Sequence, residues 1–242
     1  MKCRDFYYVN INIQESEVVS CGAQFSEFIE FIPVKPRNIL LMKGRFWGGN
    51  WHRDIGLDYV DSKNMSELIS DDVYSYGDFC WIDYRDKKVI DTMLPIELSE
   101  LLYISHRNIP LHTPFFERIN NNYVYLAHDD DYWTKIYMKN IYDYKKVIEG
   151  KVLKALKGRK KQIAPIPEDI MNLIFDGASE GIVIDFPDSY CNSRSTGVSI
   201  YKIGKYRSYD QVHDVFERKK DCLNIIVLEY NNKTWKTYHD WK

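Results

Sequence analysis

The sequence predicts an α+β protein, with an antiparallel sheet or sheets and packed helices. Three observations carry that expectation. Runs that mix β-branched, aromatic and polar residues recur in partly alternating order, as half-buried strands do. Several follow one plan, an aromatic strand, a polar turn and a returning strand. Helix signals fall between them without the regular βαβ alternation of doubly wound or barrel enzymes.

The first third is strand-rich in "FYYVNINI", "QFSEFIEFI" and "NILLMKGRFW", with Pro33 and Pro36 parting the second run from the third. "GRFWGGNWHRDIG" gathers glycines around Trp47 and Trp51 and predicts a shaped loop or a strongly bent hairpin, because glycine admits turns and close backbone approaches. Asn64 and Glu67 have capping-box spacing and predict a short helix over 64–69. "DFCWIDYRDKKVID" reads as a strand, a turn and a second strand. "LPIELSELLYISHR" predicts a helix with Leu94, Leu98, Leu101, Leu102 and Ser105 near one face and Glu97 and Glu100 solvated.

"TPFFERINNNYVYLAHDDDYWTKIYM" returns to strand chemistry, with the polar triplets 120–122 and 129–131 placed as hairpin turns. "DYKKVIEGKVLKALKGRKKQ" is helical around Ile148, Val152, Ala155 and Leu156, and residues 145–161 carry eight basic side chains against one acidic. In "APIPEDIMNLIFDG", Pro167 suits an early helical position, Glu168 and Asp169 favour the positive end, and Gly177 can stop the helix. Ser208 and Gln211 mark a last helix through Val212, Val215 and Phe216, and "LNIIVLEYNNKTWKTYHDW" turns at Asn231 and Asn232 between two strands. The domain expectation is a strand-rich region over 1–144, a basic connector or docked helix over 145–162, and a smaller α+β region over 163–242.

Composition narrows the function classes. A chain of 242 residues that is 45% hydrophobic and 15% aromatic has the material for a core. Its 33 basic and 35 acidic residues give a net charge of -2, so any nucleic-acid contact must be local. Cys3, Cys21, Cys80, Cys191 and Cys222 are scattered without CxxC spacing, as reduced thiols are. "MKCRDFYYVN" lacks a signal-peptide apolar run, and no segment approaches the roughly 20 apolar residues of a membrane span. The expectation is a cytoplasmic protein without membrane contact.

Three candidate sites stand out. His106, His112 and His128, with Asp129 and Asp131, have the chemistry of a divalent-metal site, but no HxxxH, HExxH or calcium-loop spacing fixes them on one face. The competing reading of "HDDD" is a turn: strand alternation puts His128 with Leu126 and Val124 as a packed, hydrogen-bonded histidine beside solvated aspartates. Arg45, Trp47, Trp51, His52 and Arg53 form a candidate binding surface, offering charge and stacking area, or else a folded loop; no GxxxxGK[ST] or GxGxxG frames them. Lys151, Lys154, Lys157, Arg159, Lys160 and Lys161 can meet a phosphate, a nucleic acid or an acidic protein, or simply solvate a helix.

Acid–base pairings such as Glu97 with Glu100, or His52 with Asp54, rest on proximity alone. No cysteine lies in a nucleophile motif; Cys191, in "DSYCNSRSTG", reads as a loop residue. The leading functional expectation is therefore a non-catalytic, protein-binding module, of which an inhibitory or immunity protein is one example, with no cofactor. A divalent-metal-dependent hydrolase or phosphotransferase and a nucleic-acid binder acting through the basic segment are the alternatives.

Overall fold

The computed structural model describes residues 6–44, 46, 49–52, 57–128, 133–157, 163–191, 195–218 and 225–239. In chain order the elements begin with β1 (Phe6–Asn12), β2 (Glu17–Cys21), α1 (Phe25–Phe31), β3 (Asn38–Lys43), β4 (Asn50–His52), β5 (Leu57–Val60) and α2 (Met65–Ser70). They continue with β6 (Phe79–Tyr84), α3 (Lys87–Asp91), α4 (Pro95–Arg107), β7 (Tyr123–His128), β8 (Trp133–Met138) and α5 (Tyr144–Lys157). The last are α6 (Glu168–Ala178), β9 (Ile182–Cys191), β10 (Ser195–Lys202), α7 (Tyr209–Glu217), β11 (Ile225–Asn231) and β12 (Thr234–His239). The fold is mixed α+β, built on antiparallel sheet with several packed helices, and divides into two compact units.

The first unit comprises Met1–Ile13, Val19–Ala23 and Tyr142–Lys242. Its strands follow the order β12-β11-β10-β9-β1, each neighbouring pair antiparallel. Strand β1 is covered on both faces, which is why "FYYV" reads as unbroken apolar sequence. Phe6 meets Phe216 of α7, with ring centroids 4.6 Å apart, while on the other face the Tyr7 hydroxyl donates to the Tyr144 hydroxyl of α5 at 2.7 Å. Asn232 and Lys233 both take positive φ, +49° and +64°, the signature of a tight type I′ hairpin between β11 and β12. The turn falls one residue beyond the expected Asn231 and Asn232, because Asn231 is still in β11 and pairs with Thr234.

The second unit comprises Gln14–Val18 and Gln24–Ile141, with strand order β8-β7-β6-β3-β5-β4, again antiparallel throughout. Every residue of β6 is buried, so helices must cover both faces. Phe79 and Trp81 enter an aromatic layer with Phe25 and Phe28 of α1, in which Trp81 and Tyr125 stack at 5.2 Å and 9°. Cys80, Ile82 and Tyr84 alternate to the opposite face and meet Leu101 and Ile104 of α4.

Several local expectations need correction. Residues 25–31, within the expected strand run "QFSEFIEFI", form helix α1: the Glu27 carboxylate folds back to accept the Gln24 N–H at 3.1 Å, and helical spacing buries Phe25, Phe28 and Ile29. Residues 87–91 are helix rather than strand, because the Asp86 carboxylate accepts the Lys88 N–H at 2.9 Å and caps the turn, and helical spacing then buries Ile90. Residues 113–120 form bends and turns, not a strand; the buried Asn121 side chain holds them, bonding Phe116 N, Pro114 O and Tyr123 O. Asn64 does begin α2, but without a side-chain cap, and Asp61 instead accepts the Lys63 and Asn64 N–H groups. In α4 the buried arc is Leu101, Ile104 and Ser105, so Leu94 and Leu102 face outward. Glu97 and Glu100 are partly covered, bound to Arg118 and His112.

Candidate functional site

His128 closes β7 on the face that carries Val124 and Leu126, beneath the C-terminal end of α4. Asn108 ends that helix in the left-handed region, φ +57°, with its N–H on Ile104 O at 2.9 Å. The two meet: His128 Nε2 lies 2.5 Å from Asn108 Oδ1, and Tyr137 donates its hydroxyl to the Asn108 carbonyl at 3.1 Å. On the other ring edge Nδ1 donates to Asp78 Oδ1 at 2.8 Å, and Lys43 Nζ holds Asp78 Oδ2 at 2.8 Å. Burial pushes the Asp78 carboxyl up, but hydrogen bonds from Lys43 and His128 and their charge outweigh it and hold the group below the usual carboxylate range.

Cys80 Sγ is 3.8 Å from His128 Nε2, so thiol, imidazole and carboxylate stand in the order nucleophilic enzymes use. Burial argues against that use. Cys80 has no exposed surface, packs among aliphatic side chains, and directs its thiol to Ala127 O at 3.7 Å. A thiol so enclosed is inert toward bulky substrates. The arrangement ties β3, β6, β7 and the end of α4 together through one imidazole.

The predicted metal ligands have separate surroundings. His112 is exposed and faces Glu100 at 3.1 Å, His106 is exposed on α4, and His128 is engaged by Asp78 and Asn108. Among the described residues no three His, Cys, Asp or Glu side chains are grouped to hold a metal ion. Asp129 and Asp131 lie outside the described residues, within the connection between β7 and β8, whose pairing runs to His128↔Trp133.

Of the candidate binding surface, Arg45, Trp47 and Arg53 lie outside the described residues; Trp51 and His52 lie in β4, paired with Asp58 and Leu57. Lys151 and Lys154 are on α5; Lys151 Nζ stands 5.6 Å from the Tyr7 ring centroid and 5.8 Å from that of Phe186, and Lys154 is exposed. Lys157 ends α5, and Arg159, Lys160 and Lys161 fall outside the described residues.

The sequence reading missed the outer side of α4. Ile96 and Tyr103, seven residues apart and hence on one side of the helix, are 62% and 38% exposed. Leu94, Leu102, Ile109 and Leu111 extend this apolar exposure before, along and beyond the helix. The other exposed large apolar residues, such as Ile13, Val34 and Tyr238, are scattered along the sequence. The i, i+7 spacing of Ile96 and Tyr103 was the available signal, masked by the leucines.

Comparison with known proteins gave no match: no family model fits the chain, no curated protein matches it, and no solved structure matches it. Among the described residues no helix is long and apolar enough to cross a membrane.

Proposed function

We propose that this chain is a non-catalytic, cytoplasmic protein-binding module whose outward α4 face, from Leu94 to Leu111, docks another protein; an inhibitory or immunity-type role is one form of it. The observation that supports the reading is the concentration of exposed apolar side chains there. Exposed large apolar residues that gather along one short stretch, rather than occurring singly over the surface, favour contact with a partner. Glu100, His106, Arg107 and His112 lie in the same stretch, and Tyr103 is a rigid aromatic of the type that anchors interfaces.

The test is capture from the native cytosol with immobilised wild-type protein and with the double variant Ile96→Glu/Tyr103→Glu. A partner retained by the first and lost by the second supports the proposal. Identical capture by both sinks it, as does light scattering that shows the face consumed by self-association.

A further inference from the structure

The first unit holds a second surface of different chemistry. After β10 the chain runs alongside α7, and a groove of about 440 Å³ opens between them, lined by Lys205, Tyr206, Arg207, Gln211, Asp214 and Arg218. Gln211, Asp214 and Arg218 recur at helical spacing and make one wall from one side of α7; Lys205 and Arg207 make the other. We propose that this groove binds a small diphosphate-bearing molecule.

The charge balance motivates the assignment. Three cationic side chains face one carboxylate, an excess of two positive charges over a space within the ordinary range for small ligands. Elsewhere cations such as Lys43, Lys87, Arg118 and Lys135 are neutralised by neighbouring carboxylates. Among the described residues Lys205 and Arg207 form no salt bridge, and the Arg218 guanidinium bonds a backbone carbonyl, Asp214 O, at 3.1 Å. Guanidinium forks match phosphate oxygens in pairs, and an ammonium adds a point charge.

The walls are also held in place before any ligand arrives. Tyr206 N donates to the Tyr8 hydroxyl at 2.9 Å, and the Tyr206 hydroxyl donates to Ile203 O at 2.9 Å. Gly181 and Gly204, both at positive φ, pass so closely that a Cβ on Gly181 would stand 2.0 Å from Gly204 O. Arg207 N donates to Gln211 Oε1 at 3.0 Å, which ties loop to helix and leaves the Gln211 amide NH₂ as a further donor. A fixed wall loses little freedom when an anion binds.

Calorimetric titration of the full chain with inorganic pyrophosphate tests the proposal, with sulfate at matched ionic strength as the control. Saturable one-to-one binding is expected, weakened at least about ten-fold in Arg207→Ala and in Arg218→Ala, since each loses a charge-assisted contact. Asp214→Asn should tighten it roughly three-fold by removing the opposing charge. No saturable heat at millimolar pyrophosphate overturns the proposal. So does an equal response to sulfate, or affinity indifferent to all three substitutions.

Discussion

Asp78 precedes β6 and Asp83 lies near its far end, and the two carboxyls are displaced in opposite directions. Asp83 is buried at the start of β7, where it accepts Asn122 N at 2.8 Å, Tyr123 N at 2.6 Å and Asn122 Nδ2 at 3.2 Å. Burial raises it to about 6 even so. Asp78 is half-exposed and faces Lys43 and His128, and it is lowered. The contrast separates two ways of holding a carboxyl: neutral amide dipoles leave most of the desolvation uncompensated, whereas cationic donors overcome a smaller one.

The sharpest way to break this contrast is Asp83→Ala, which leaves the buried Tyr123 N–H and the partly buried Asn122 N–H without their acceptor. It should cost roughly 2–6 kcal/mol in urea unfolding below about pH 6, at about 1–3 kcal/mol for each of the two stranded donors. A loss below about 1 kcal/mol would mean that water or backbone movement satisfies both groups.

At the other end, His128→Ala removes the contacts to Asp78 and Asn108 and should cost about 1–3 kcal/mol. It should also speed amide exchange at Asn108, whose side chain loses its anchor. Unchanged exchange there would show that the Tyr137 hydroxyl alone keeps the end of α4 in place.

Acid titration sharpens the comparison further. The Asp83 contribution to stability is complete below its unfolded value of 3.8 and is lost as pH rises through about 6. The Asp78 contribution runs the other way, present above 3.8 and lost as pH falls through its lowered folded value. Carboxyl-carbon NMR should therefore place the Asp83 midpoint near 6 and that of Asp78 on the acid side of 3.8. Midpoints in the reverse order would refute the contrast. The smallest effect belongs to Ile96→Glu/Tyr103→Glu, which should change unfolding free energy by less than about 0.5 kcal/mol, because neither side chain is buried.

Sequence legibility tracked the range of the interactions. The β11–β12 turn was readable to within one residue because the local polar run through Asn232 and Lys233 marks it, and the strands flanking "HDDD" because their aromatic alternation is local too. Helix α3 was not, since "KKVID" has strand-like composition and only the Asp86 cap decides its fate. Leucine spacing in α4 misled because Ile104, between Leu101 and Ser105, sets the buried arc. The packed histidine next to an Asp-rich connection was foreseen at His128, but its partners Asp78 and Asn108 come from remote segments and leave no periodic trace.

One pairing bears on how the chain is made. Phe6 of β1 meets Asp185 of β9, roughly 180 residues later, although β1 already has β2 as a neighbour close in sequence. A ribosome adding about 5–20 residues per second needs about 10–40 s to supply that partner. Throughout this interval the β9-facing edge of a strand containing Tyr7, Tyr8 and Val9 is exposed to whatever else is nearby, while the whole of 24–141 is completed. Refolding from denaturant, where β9 is present from the first moment, escapes that wait.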